Sequence, residues 1–131
     1  MPLVLAQETP EFWESLQMMP TPRTEVVAVS VDEKIFVIGG FDKDGKETDI
    51  VEIYDTVNDL WETASPIPEK PHHVGASVFN NEIYVVGGYK NGWIATNSLF
   101  IYDTKDTWHS GPNMPTSRGA LTAQFIGDIL Y

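Results

Sequence analysis

The sequence predicts an all-β chain made of repeated four-stranded antiparallel units, and two observations carry that prediction. The segment Lys34-Ile35-Phe36-Val37-Ile38-Gly39-Gly40 returns 48 residues later as Glu82-Ile83-Tyr84-Val85-Val86-Gly87-Gly88. Other landmarks recur in the same order: Trp13 with Trp61, Pro20 with Pro68, and Tyr54-Asp55 with Tyr102-Asp103. The next interval is 47, because one residue drops from the turn before the tryptophan, and Trp61 then maps to Trp108, Pro68 to Pro115 and Ile83 to Leu130. Periods of roughly 20–50 residues mark arrays in which one supersecondary unit stacks repeatedly to share a core, and a period of about 50 with a glycine pair is the propeller value.

Each element follows from its residues. Residues 1–11 have no period and form a non-repetitive lead. Phe12–Leu16 reads as an outer strand of a preceding unit, equivalent to Leu60–Ala64 and Thr107–Ser110. The prolines of Met19–Arg23 would each remove a ladder donor, so this stretch is a crossing between units, repeated at Ile67–His73 and Met114–Arg118. The runs Thr24–Ser30, His72–Val78 and Gly119–Phe125 are small or β-branched, which suits innermost strands that crowd together near an axis. Asp32-Glu33, Asn80-Asn81 and Gly127-Asp128 are two-residue polar steps between apolar runs and read as tight hairpins.

Ile35–Ile38 and Ile83–Val86 are continuous apolar runs of strand length ended by glycine pairs, so both faces are expected to be covered. The loops Phe41–Thr48 and Tyr89–Thr96 follow, then third strands at Ile50–Tyr54 and Ser98–Tyr102, aspartate-bearing turns, and fourth strands with the tryptophans. The units run over 24–65 and 72–112, with a partial unit at 119–131. A closed ring takes roughly 4–8 such blades. The expectation is therefore an incomplete ring, completed by further blades of a longer chain or by self-association.

Eight basic residues against 19 acidic ones give a net charge of −11. That balance argues against nucleic acid and against anionic membrane surfaces as partners. With no cysteine, disulfides, thiolate metal sites and a cysteine nucleophile are excluded. No stretch reads as inserting in a membrane, and the opening Met1–Glu8 lacks the basic flank of a secretion signal. Val4-Leu5-Ala6-Gln7 nonetheless resembles the end of one with its cleavage site, so a soluble chain in either the cytoplasm or a secreted setting fits.

The pairs Gly39-Gly40 and Gly87-Gly88, the tyrosines Tyr54 and Tyr102, and the tryptophans Trp13, Trp61 and Trp108 are the repeated signature. At this spacing, with Pro22-Arg23 and Ser117-Arg118 opening units, the chain from Trp13 to Tyr131 resembles the kelch-repeat family of β-propellers. The resemblance implies one four-stranded blade per repeat, the glycine pair ending the second strand and the tryptophan in the fourth. Pro71-His72 stands where the other units offer arginine, a departure that weakens any ring-wide arginine pocket.

The residues themselves suggest little chemistry. Adjacent histidines in a strand point to opposite faces, so His72 and His73 would not share a zinc ion unless the crossing bends there. Asp55 and Asp103 recur in equivalent turns, as expected of residues that bond their own backbone rather than of a catalytic pair. Among enzymes that the resemblance brings in, a copper radical oxidase needs a cysteine that is absent here, and a sialic-acid mutarotase draws its site from several blades. No cofactor, metal ligand or catalytic residue is expected.

Specificity belongs where the repeats differ. The loops Phe41–Thr48 and Tyr89–Thr96 are equal in length, but the second carries Tyr89 and Trp93, and a loop-borne tryptophan is a good contact anchor. The resemblance implies that these loops and the crossings share one face, which brings in Arg23, Arg118, His72 and His73. The leading expectation is a protein-interaction scaffold with protein partners. The alternatives are part of a carbohydrate- or small-molecule-processing propeller of the mutarotase kind, or a structural array in a larger extracellular protein.

Overall fold

The computed structural model describes residues 13–131, so the expected non-repetitive lead over residues 1–11 and the Phe12 end of the expected outer strand lie outside the described residues. In chain order the strands are β1 (Arg23–Thr24), β2 (Val27–Val31), β3 (Lys34–Ile38), β4 (Phe41–Asp42), β5 (Val51–Asp55), β6 (Leu60–Ala64) and β7 (Gly75–Phe79). They continue with β8 (Glu82–Val86), β9 (Tyr89–Lys90), β10 (Ile94–Ala95), β11 (Leu99–Asp103), β12 (Thr107–Ser110), β13 (Phe125–Ile126) and β14 (Ile129–Leu130). Two antiparallel four-stranded sheets dominate, ordered β2-β3-β5-β6 and β7-β8-β11-β12. They are successive blades of a propeller, and the described residues do not by themselves close a ring.

Two-residue turns set the register of the inner strands, pairing Val31 with Lys34, Phe79 with Glu82 and Ile126 with Ile129. The turn residues Asp32, Asn80, Asn81 and Gly127 take φ of 51°, 49°, 61° and 64°. Asp, Asn and Gly tolerate that left-handed region better than other residues, which is why these polar steps make hairpins.

The main core lies within and between the two blades. Ile38, Val51, Ile67, Val74, Ile83 and Val85 are all buried in one cluster, and the Phe36 ring of the first blade faces the Tyr102 ring of the second at 5.7 Å. Small residues let the inner strands converge: a methyl group added at Gly75 would lie 3.1 Å from the Ala123 methyl of the next unit. The second glycine of each pair has a similar reason. Gly88 has φ of 92°, and a side chain there would strike the His72 carbonyl at 2.7 Å.

Three expectations are corrected. Residues 13–16 form no strand, and Trp13 is 96% exposed instead of occupying a blade. Among the described residues there is no third strand beside them, and a lone strand has no partner for its ladder groups. The repeat resumes at Gln17, whose N–H donates to Asp59 and whose carbonyl accepts from the Trp61 indole, as Ser65 does with Asp106 and Trp108.

The inner strands also start later than expected, at Val27 and Gly75 rather than at Thr24 and His72, because Glu25 and His73 leave the extended region. The loops after the glycine pairs are partly ordered: β4 pairs with β1, and β9 folds back on β10. The third unit forms the hairpin β13–β14, lengthened by reciprocal bonds of 2.9 Å between Gln124 and Tyr131.

Candidate functional site

The crossings build a feature that repeats in geometry but not in chemistry. Glu25, His73 and Ala120 occupy equivalent places at the head of successive units, and all three are non-glycine residues at positive φ, 55°, 54° and 52°. The His73 N–H donates to the Glu25 carbonyl at 3.3 Å, and the Ala120 N–H donates to the His73 carbonyl at 2.9 Å. A backbone relay therefore steps from unit to unit, and the strain of each left-handed residue is held by its neighbour. Residues in such conformations cluster at functional sites because the surroundings must over-determine them.

The side chains at this head converge on Trp93. The His72 side chain is fully buried, its ring 4.3 Å from Phe41 and 5.1 Å from Trp93. The left-handed turn at His73 brings the two histidine rings together, with Nδ1 atoms 2.7 Å apart. The crossing bends, so the histidines are not on opposite faces, and His72 is not a surface residue. His73 and Tyr89 each stand about 5.2 Å from the Trp93 ring. Gly119 leaves the space that the Tyr89 ring fills, since a methyl group there would overlap it.

One carboxylate from the first blade fixes the hairpin of the second. Glu47 accepts from the backbone N–H groups of Asn91 at 3.0 Å and Gly92 at 2.6 Å, while the Gly92 carbonyl oxygen lies 2.7 Å from His72 Nε2. The turn that carries Trp93 is thus pinned from both sides. Trp93 itself remains 68% exposed, and the adjoining Ile94 60%. Tyr89, Trp93, His72 and His73 come together as one cluster, and the crossing that holds Arg118 runs over Tyr89. The Arg118 side chain is exposed and donates to Thr116 Oγ1 at 2.6 Å.

Arg23 is not part of this surface. Its guanidinium is fully buried and donates to the carbonyls of Gly39, Ile50 and Val37, and it pairs with Glu52 at 2.9 Å. Arg23 is a scaffold residue, because a buried carboxylate needs its cation. The expected equivalence of His72 with Arg23 is also corrected. His72 bridges Tyr89 as Thr24 pairs with Phe41, so Pro71 stands in the place of Arg23. In the second blade Phe100 likewise replaces Glu52, and the ion pair has been exchanged as a unit for apolar residues.

Glu25, Glu47, Phe41 and Gly119 belong to the cluster and were missed by the sequence reading. Glu25 had a signal, since it lies one period before His73. Glu47 had none, because its partners are backbone groups of another blade.

The aspartates are fasteners. The Tyr54 hydroxyl donates to Asp59 at 2.6 Å and that of Tyr102 to Asp106 at 2.9 Å. The Asp59 hydrogen bond, with burial adding to it, pushes the Tyr54 phenol up to about 12. The Ser65 N–H, and then the Tyr102 phenol, hold the Asp106 carboxyl below its usual range. Burial, and then Asp106, push the Tyr102 phenol up. Asp55 accepts from the N–H groups of Val57 and Asn58 within its own turn. Among the described residues no group of three or more histidines and carboxylates could hold a metal ion, and no helix is long and apolar enough to cross a membrane.

No curated protein matches the chain. The Kelch motif, by contrast, matches residues 22–68 and 70–115, each span covering one blade together with its flanking crossings. The glycine pairs end the second strands, the tryptophans stand in the fourth, and two four-stranded antiparallel sheets pack side by side as that motif requires. On the matched spans and the blades they form, this chain belongs to the Kelch motif family.

Proposed function

We propose that this chain is a protein-interaction part of a kelch-type scaffold, and not an enzyme, with its contact surface centred on Trp93. The observation that carries this reading is a tryptophan left 68% exposed although its hairpin is pinned by Glu47 and His72. A large aromatic held in place before binding loses little freedom on contact, and such residues dominate interface energies. Tyr89 and His73 support its ring, Ile94 extends the apolar area, and Glu25 supplies charge beside His73. The repeated positions are consumed by the scaffold, which leaves recognition to these variable ones.

Panning a displayed library of random peptides against the whole chain tests the surface. Peptides enriched on the wild-type chain should bind Trp93→Ala at least about tenfold more weakly, in line with the loss of a central aromatic anchor. Lys34→Ala, at the far end of β3, should bind them unchanged. Equal binding by wild type and Trp93→Ala would remove the proposal.

A further inference from the structure

The four ring nitrogens of His72 and His73 lie in one line between two groups that can only accept hydrogen bonds. At one end the Gly92 carbonyl oxygen is 2.7 Å from His72 Nε2. In the middle the two Nδ1 atoms are 2.7 Å apart. At the other end His73 Nε2 is 3.0 Å from Glu25 Oε2. The first two contacts are hydrogen bonds and take one proton each, the third sets a carboxylate against a ring nitrogen at ion-pair distance and attracts it only if that nitrogen is protonated, and two neutral imidazoles carry one proton each.

The positions of those protons follow from the ends. His72 must hold a proton on Nε2, where Glu47 Oε1 at 3.5 Å is a second acceptor beside Gly92. Its Nδ1 is then a lone pair, so the proton between the rings belongs to His73. The remaining His73 nitrogen faces a carboxylate and is attracted to it only if it is protonated as well. Glu25 and Glu47 are the charged groups facing the pair. Tyr89 flanks both rings, and Phe41 and Trp93 pack on them without an ionisable group.

We infer that closing the Glu25–His73 contact takes up one proton, which makes the link between the two blades at this face, and the seating of Trp93 on both rings, proton-controlled. The regulatory half rests on the interaction surface proposed above, whereas the proton count does not. When the proton leaves, two lone-pair-bearing atoms face each other. Glu25 is about half exposed, with a side chain 48% accessible, and swings away at little cost. His72 keeps its bond to Gly92, so the hairpin stays while the His73 side of the Trp93 support loosens. Imidazole is the side chain that ordinarily changes charge between about pH 5 and 8, which sets the range over which the contact is tested.

Glu25→Gln is the discriminating variant, because its amide has nearly the same shape and can turn an N–H toward a bare His73 nitrogen. The three contacts are then made without the extra proton. The melting temperature of the whole chain, followed from pH 5.5 to pH 8, should favour wild type over Glu25→Gln by a few degrees, roughly 2–5 °C, at the acid end. The gap should disappear as pH rises and the pair gives up its proton. Glu33→Gln, an exposed carboxylate lost elsewhere, should show a gap that does not change with pH.

A Glu25→Gln gap as flat as that of Glu33→Gln overturns the proton count, whatever the chain binds. Imidazole ¹⁵N shifts give a second readout at pH 6. A His73 ring protonated on both nitrogens in wild type and on Nδ1 alone in Glu25→Gln supports the inference, and identical neutral rings in both overturn it. Peptides enriched on the wild-type chain should change affinity at least threefold between the two pH values, with the change lost in Glu25→Gln. A pH-independent affinity beside a pH-dependent melting gap overturns the regulatory half. Undiminished binding by Trp93→Ala defeats the interaction reading and leaves the proton count standing.

Discussion

At the scale of single residues, the tyrosine–aspartate pairs show how a repeated motif acts as a fastener. Asp59 and Asp106 each tie a phenol to a backbone N–H of the preceding crossing, Gln17 in one case and Ser65 in the other. The sign of the pH effect follows from the Asp106 carboxyl being held low by Ser65 and Tyr102. Its contribution is fully present above the ordinary carboxylate value of about 3.9 and is lost as pH falls through the depressed folded value. Asp106→Asn should therefore melt below wild type above about pH 5, and the gap should close toward about pH 2. Thermal melts across that range check this; a gap that widens in acid contradicts it. The recurrence of Tyr54 and Tyr102 was legible in the sequence, but the backbone groups of Gln17 and Ser65, which reach their aspartates from the preceding unit, were not.

At the scale of elements, the blades share a plan and differ in how they fill one buried corner. The first uses Arg23 and Glu52, with Thr21 donating to the same carboxylate at 2.7 Å, and among the described residues the Arg23 Nε has no partner. The second uses Pro71 and Phe100. Removing one member of a buried ion pair strands the other, at about 3–5 kcal/mol, whereas replacing both with apolar residues is often tolerated. Arg23→Met should lose stability in that range, and Arg23→Met combined with Glu52→Phe should recover at least half of it, as read from urea denaturation midpoints. A double variant no better than the single one would show that the corner needs its charges. The sequence alone suggested the opposite role for Arg23, because an arginine in a proline-rich crossing looks like surface until the neighbouring strand is placed over it.

At the scale of the whole molecule, the two blades share one core, while the third unit is held on more lightly. Phe125 stacks on Phe79 at 4.8 Å and its N–H donates to Ser77, but Ile126 and Ile129 are exposed and the strands are two residues long. Local opening is easiest where few apolar contacts must be broken. In native-state hydrogen exchange the amides of β3, β5, β8 and β11 should exchange together and last, with those of β13 and β14 earlier. Equal protection of the last hairpin would overturn this ranking.

The period, the hairpins and the four-strand unit could be read from the chain alone, because each depends on local chemistry: glycine and asparagine in left-handed turns, prolines that cannot donate, and apolar runs of strand length. The candidate surface was only half legible. Trp93 and Tyr89 stood out as departures from the repeat, but the burial of His72, the meeting of the two histidines, the grip of Glu47 and the contact of His73 with Glu25 all arise where one blade docks on the next. Apart from that between the two adjacent histidines, those contacts join residues 20 to 48 positions apart through backbone groups and left-handed turns, so composition and spacing carry no trace of them. Tertiary packing alone decided which charged residues are scaffold and which face outward.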